Sequence, residues 1–333
     1  MLYAGPHLPR RRRRRRRSPQ VAEFSLAERA TAAGFALGWR AGRAFDTSPA
    51  RVLFDAAADL GWRRDGPGAS QLRANLRRVV GPEFSERDLD ALTRRGLRSY
   101  ARYFREVFWM PSARPDVVAG RTRMNGAANV DIVRQRGQGV ICALPHTGNW
   151  DAAAVAYLAR FGGPLTVVAE RLRPESLYRR FQTYRESLGM SVLPLTGGER
   201  PSAHLLATTL RAGGTVSLVC DRDLGSSGVP VSLFGRMITV PPGPALLAVQ
   251  TGAALIPTLP GFEGDDWSLA FLPEVVVDGP DAPKRLRHKV TQAMQQVVDQ
   301  FATGIVNAPQ DWHMVQRLWQ EDLEPASTGR SSR

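Results

Sequence analysis

Cysteine is almost missing from this chain. Cys142 and Cys220 are the only two in 333 residues, and both sit inside apolar runs. Such a pair predicts no disulfide framework and no thiolate metal site; both read as small buried hydrophobes in a reducing compartment. Lysine is as scarce, with Lys284 and Lys289 set against 43 arginines. No stretch reaches the 18 or so apolar residues of a membrane span. The basic N-terminal run is not followed by an apolar segment, so no secretory leader is expected. No spacing matches a zinc site or a glycine-rich phosphate loop, and no cofactor is expected. What remains is 43% hydrophobic and 23% charged, enough to bury one large core or two small ones.

The net charge of +14 is concentrated. Arg10 to Arg17 form an unbroken run of eight arginines, which leaves +6 for the rest of the chain. One reading is a tether to nucleic acid or anionic lipid; the other is an unstructured start. No aromatic residue is interleaved with the run and no nucleic-acid motif follows it, so no nucleic-acid partner is expected. A basic nucleic-acid-binding protein is the competing class, and it rests on this run alone. The preference for arginine over lysine fits codon bias first. It also fits bidentate anion recognition.

Periodicity and caps divide the chain into four parts. Residues 1–20 read as a disordered Arg-rich tail. Residues 21–118 read as a helical, membrane-associating region, with helices over 21–45, 49–59, 69–80 and 86–107 broken by Thr47-Ser48-Pro49 and Gly81-Pro82. Residues 119–320 read as an α/β core, and 321–333 as a second disordered tail. In the core, helix is expected over 125–137, 149–160, 174–188, 200–212, 244–251 and 283–301. Strands are expected over 140–144, 165–169, 191–195, 215–220, 229–234, 254–262 and 269–277. Short continuous apolar strands alternating with helices predict a mainly parallel central sheet covered by helices on both faces. The stretch Ala30-Thr-Ala-Ala-Gly-Phe-Ala-Leu-Gly-Trp39, flanked by Arg29, Arg40 and Arg43, reads either as a helix lying in a membrane interface or as one packed on the domain. The two are compatible.

The most informative segment is His146-Thr147-Gly148-Asn149-Trp150-Asp151, directly after the apolar run 139–145. A strand ends there and a helix begins at Asn149, which brings Asp151 within reach of the imidazole. A carboxylate on one ring nitrogen fixes the tautomer and leaves the other as a general base. No nucleophile accompanies the pair, which suits activation of a substrate hydroxyl. Asp151 has a second reading, as a favourable charge at a helix N-terminus. Sheets of this kind place their site at the carboxyl ends of the strands. His146 follows one expected strand, Glu170 and Arg171 the next, and Asp221, Arg222 and Asp223 another, so three charged clusters should share one edge.

Leu144-Pro-His146-Thr-Gly-Asn-Trp-Asp151 resembles the His-x4-Asp block of the lysophospholipid-type acyltransferases, in the branch of the lipid A lauroyl and myristoyl enzymes. Phe234-Gly-Arg-Met-Ile-Thr-Val-Pro-Pro-Gly243, the following stretch to Pro257, and Pro309-Gln-Asp-Trp312 are similar to the same branch. Cys220-Asp-Arg-Asp-Leu224 resembles its actinobacterial members that acylate phosphatidylinositol mannosides.

The resemblance implies a peripheral enzyme on the cytoplasmic face of the cell membrane, at an anionic surface. It implies acyl-CoA as donor and a mannose hydroxyl of a phosphatidylinositol mannoside as acceptor. His146 is then the base, Asp151 orients it, and Asp221 completes the relay. Thr147, Asn149, Glu170, Arg171, Arg185, Arg222 and, more weakly, Ser227 are the candidate substrate contacts. Each arginine has the alternative of a surface or ion-paired side chain. A lipid A-type enzyme drawing on acyl carrier protein is the second enzymatic reading. His204 and His288 read as structural, and His313 as packing.

Overall fold

The structure, a computed structural model, describes residues 26–170, 174–196, 201–223, 227–280 and 282–323. The arginine run and Arg171 therefore lie outside the described residues. Four helices come first: α1 (Leu26–Arg40), α2 (Ser48–Arg63), α3 (Pro67–Val80) and α4 (Glu86–Trp109). Capping chemistry sets their starts. Thr47 accepts from the Ala50 amide ahead of α2, and Ser85 from the Asp88 amide at 3.1 Å ahead of α4. The short α5 (Pro115–Gly120) and β1 (Thr122–Asn125) follow, and neither is expected from sequence.

The core then alternates α6 (Ala127–Gln135), β2 (Val140–Leu144), α7 (Trp150–Phe161), β3 (Leu165–Ala169), α8 (Glu175–Ser187), β4 (Met190–Pro194), α9 (Ser202–Arg211) and β5 (Thr215–Val219). It closes with β6 (Val229–Leu233), β7 (Arg236–Val240), α10 (Gly243–Thr251), β8 (Ala254–Glu263), β9 (Asp266–Phe271) and α11 (Leu286–Asn307).

Seven strands form one sheet in the order β1-β9-β8-β2-β5-β3-β4. Every neighbouring pair is parallel except β8 with β9. The fold is α/β with a mainly parallel sheet, and helices cover both faces. Alternation along β2 shows how. Ile141 and Ala143 join the core under α9, α10 and α11, while Val140, Cys142 and Leu144 join the one under α6 and α7. The N-terminal helices close over α7 and α8 through an aromatic layer that includes Phe35, Trp39, Phe104 and Phe181.

Three expectations change. The last strand is 266–271 rather than 269–277; Trp267 is its buried anchor, and residue 275 keeps only an isolated bridge to Leu255. β7 pairs antiparallel with β6 as a separate hairpin. The polar end is also held in part, because Arg78 pairs with Glu321 and Asp322 and Arg236 with Glu321. In α1, Phe35 and Trp39 pack inward while Leu37 is 69% exposed, so the stretch carries both an inner and an outer face. No helix among the described residues is long and apolar enough to cross a membrane.

Candidate active site

β2, β5 and β3 are adjacent and parallel, so their carboxyl ends share one edge of the sheet. β2 is buried along its whole length and delivers Pro145 and His146 to that edge. β5 delivers Asp221, and the Cys220 amide bonds the Leu144 carbonyl at 2.8 Å, which ties the two strand ends together.

Asp221 is buried at 1% exposure and its carboxylate is fully occupied. Oδ1 lies 2.5 Å from His146 Nδ1; Oδ2 accepts from the His146 amide at 2.9 Å and from the Trp312 indole at 3.0 Å. Burial works to raise its pKa. The His146 charge and these hydrogen bonds outweigh that and hold the carboxyl below its ordinary range. The carboxylate fixes Nδ1 as the protonated nitrogen. It leaves Nε2, on a ring about one-third exposed, without a hydrogen-bond partner among the described residues.

The loop carrying His146 is fastened on three sides. Thr147 Oγ1 donates to the Pro260 carbonyl at 2.8 Å. Gly148 donates to the Asp311 carbonyl at 3.0 Å, and the His313 amide donates to the His146 carbonyl at 2.8 Å. Gly148 has φ of +53°, and a Cβ there would stand 2.6 Å from the Gly261 backbone, so only glycine fits. Asn149 caps α7, its Oδ1 accepting from the amides of Asp151 and Ala152, and its Nδ2 donates to the buried Glu106 carboxylate at 2.7 Å.

That cap turns Asp151 away from the expected partner. Its Oδ1 meets Arg185 Nε at 2.8 Å and its Oδ2 accepts from the Tyr103 hydroxyl at 3.3 Å, in a site where the carboxylate is 1% exposed. The carboxylate on His146 is therefore Asp221, where spacing alone predicts Asp151. Arg185 correspondingly sits in a buried ion pair rather than open to a substrate anion. Desolvation works to lower its pKa, and Asp151 overrides that and raises it.

The other candidates divide. Thr147 and Asn149 are buried in loop-bracing bonds, while Glu170 and Ser227 are exposed. Arg222 has no carboxylate partner among the described residues, and its Nε is buried without a hydrogen bond. Asp223 Oδ2 accepts from the Gly228 amide at 3.2 Å, closing its own loop. Sequence reasoning gave no role to Trp312, which holds Asp221 from 91 residues away, although it closes the Pro309–Trp312 block noted for its resemblance. A void of about 20 Å³ lies in the core between the sheet and α7, bordered by Leu144, Trp150, Ala153, Tyr157, Thr258 and Leu269.

A buried acid thus holds one imidazole nitrogen, and the second nitrogen has no hydrogen-bond partner among the described residues at this edge of the sheet. The sequence profile of the bacterial lipid A biosynthesis acyltransferases matches residues 22–321, and the chain belongs to that family. Among similar proteins, the phosphatidylinositol mannoside acyltransferase of Mycolicibacterium smegmatis is 44% identical over 305 residues, covering 92% of this chain and 96% of that one. The enzyme of the same name from Mycobacterium tuberculosis is 42% identical over 307 residues, covering 92% and 93%.

Proposed function

We propose that this chain transfers a fatty acyl group from acyl-CoA to a mannose hydroxyl of a phosphatidylinositol mannoside, working at the membrane surface. The observation that carries the reading is the pairing of buried Asp221 with His146 on a chain that matches enzymes of that name along nearly its whole length. His146 Nε2 takes the proton of the sugar hydroxyl, and the oxygen attacks the thioester carbonyl. The tetrahedral intermediate collapses with cleavage of the C–S bond, and the proton on Nε2 passes to the departing thiolate. Asp221 stabilises the imidazolium between these steps. Of the candidate arginines among the described residues, Arg222 is the one without a carboxylate partner, and it would meet an anion of the donor or the lipid.

The N-terminal helices supply the membrane face. Leu37 of α1 and Val52, Leu53 and Leu60 of α2 stand 46–69% exposed beside Arg40 and Arg51.

Incubation with radiolabelled palmitoyl-CoA tests the reading, with mannosylated and unmannosylated phosphatidylinositol as alternative acceptors. Label should pass to the mannosylated lipid alone. Transfer from acyl carrier protein to a Kdo-lipid, with none from palmitoyl-CoA, would favour the lipid A-type alternative.

A further inference from the structure

The backbone pairs His146 with a second histidine. Thr147 and Trp312 form an antiparallel bridge, and the His313 amide donates to the His146 carbonyl at 2.8 Å. In that register His146 and His313 are directly opposite, so their side chains leave the same face with Cβ atoms about 5 Å apart. Both rings approach Trp150, with centroids at 5.8 Å and 6.4 Å.

His313 differs from His146 in every other respect. It is 5% exposed, and its ring packs against Tyr100, Tyr103 and Phe262. Burial, with a smaller push from His146, brings its pKa down to about 3, so the ring is neutral. Ser99 Oγ donates to Asp311 Oδ1 at 2.8 Å and lies 3.0 Å from His313 Nε2. With its own proton given to Asp311, the serine oxygen is an acceptor toward the ring. Nε2 therefore carries the hydrogen, and Nδ1 is a bare lone pair. That Nδ1 is buried with no hydrogen-bond partner among the described residues. Unsatisfied buried acceptors are rare and costly, and one set beside a reacting residue points to a donor that arrives with the substrate.

We infer that His313 Nδ1 accepts a hydrogen bond from a second hydroxyl of the acceptor sugar, beside the one His146 deprotonates, and so selects a polyhydroxylated acceptor over a simple alcohol. The inference rests on the acyltransfer reading. The Asp311–Ser99 chain holds the tautomer. Tyr100 and Trp150, both half-buried, pack beside the His313 ring at centroid distances of 5.2 Å and 6.4 Å. His313 is in these terms a specificity-determining residue, since the proton moves through His146.

The test compares wild type, His313→Phe and His313→Asn in kinetics against mannosylated phosphatidylinositol and palmitoyl-CoA. It is joined by NMR of ¹⁵N-histidine-labelled protein. Phe keeps the packing volume and removes the acceptor; Asn returns a carbonyl oxygen near the Nδ1 position. Phe should raise the acceptor KM about tenfold, the scale of one lost hydrogen bond, with far less change in the donor KM. Asn should recover part of it. In wild type, the His313 signals should show the Nε2–H tautomer, and the Nδ1 resonance should move when mannosylated phosphatidylinositol in detergent micelles is added. An acceptor KM unchanged in a folded His313→Phe protein, or a Nδ1–H tautomer, would overturn the inference while leaving acyltransfer standing. A wild-type enzyme inactive on the glycolipid would sink the functional reading, and an Nδ1 resonance unmoved by the lipid would then remove the inference with it.

Discussion

Asp221 grips His146 twice, through the ring Nδ1 at 2.5 Å and through the backbone amide at 2.9 Å. One carboxylate thus sets both the tautomer and the position of the imidazole. Replacing it with Asn keeps the shape but lets the amide favour the wrong tautomer, so Asp221→Asn should cut turnover about 100-fold or more. Asp221→Glu should retain much more, since the charge survives. Asp223→Asn should have little effect, because that side chain closes its own loop onto Gly228. Initial rates of the three variants rank them; a silent Asp221→Asn would remove the acid from the mechanism.

Asp151 predicts a different phenotype. It is the buried counter-ion of Arg185, with Tyr103 on its other oxygen. Asp151→Asn strands the guanidinium and should cost about 3–5 kcal/mol of stability. The thermal midpoint should fall before any change in the pH profile of turnover. A variant as stable as wild type with its activity lost would return Asp151 to the chemistry.

The contrast marks how far the sequence could be read. β2, β3 and β5 stand out as continuous apolar runs bounded by turns, and with them the shared edge where His146 and Asp221 meet. The five-residue spacing of His146 and Asp151 says nothing about which way α7 faces. Tyr103 and Arg185, the residues that claim Asp151, come from 48 and 34 positions away. β1 and β7 escape notice for a related reason. Thr122-Arg-Met-Asn125 is short and half polar, and β9, more than 140 residues on, makes it a strand; Arg236-Met-Ile-Thr-Val240 is equally mixed, and β6 just before it folds it into a hairpin.

His313 should make the protein acid-sensitive. Its folded pKa of about 3 lies below the ordinary 6.5, so between these values the unfolded chain binds a proton the folded one refuses. The stability is present above pH 6.5 and is lost as pH falls, at about 1.4 kcal/mol per unit for one proton. The Asp221 carboxyl, also held low, adds loss in the same direction at more acid pH. Thermal midpoints of wild type should fall more steeply from pH 7 to pH 5 than those of His313→Phe. Parallel curves would contradict this.

Val52 and Leu53 offer the most direct test of the proposed membrane face, at 68% and 65% exposure on a helix with no buried residue. Val52→Glu with Leu53→Glu should leave the fold intact and weaken co-sedimentation with phosphatidylinositol vesicles severalfold. High salt should weaken the wild type too, since arginines near an anionic leaflet contribute about 1 kcal/mol each. Binding indifferent to both changes would place the membrane face elsewhere.

The central claim is that His146 is the base, and turnover of His146→Ala tests it most directly. Transfer of label from palmitoyl-CoA to mannosylated phosphatidylinositol should fall by about 100-fold or more, the usual scale for losing a general base, in protein whose circular dichroism and melting match wild type. Near-normal transfer by that folded variant would contradict the account.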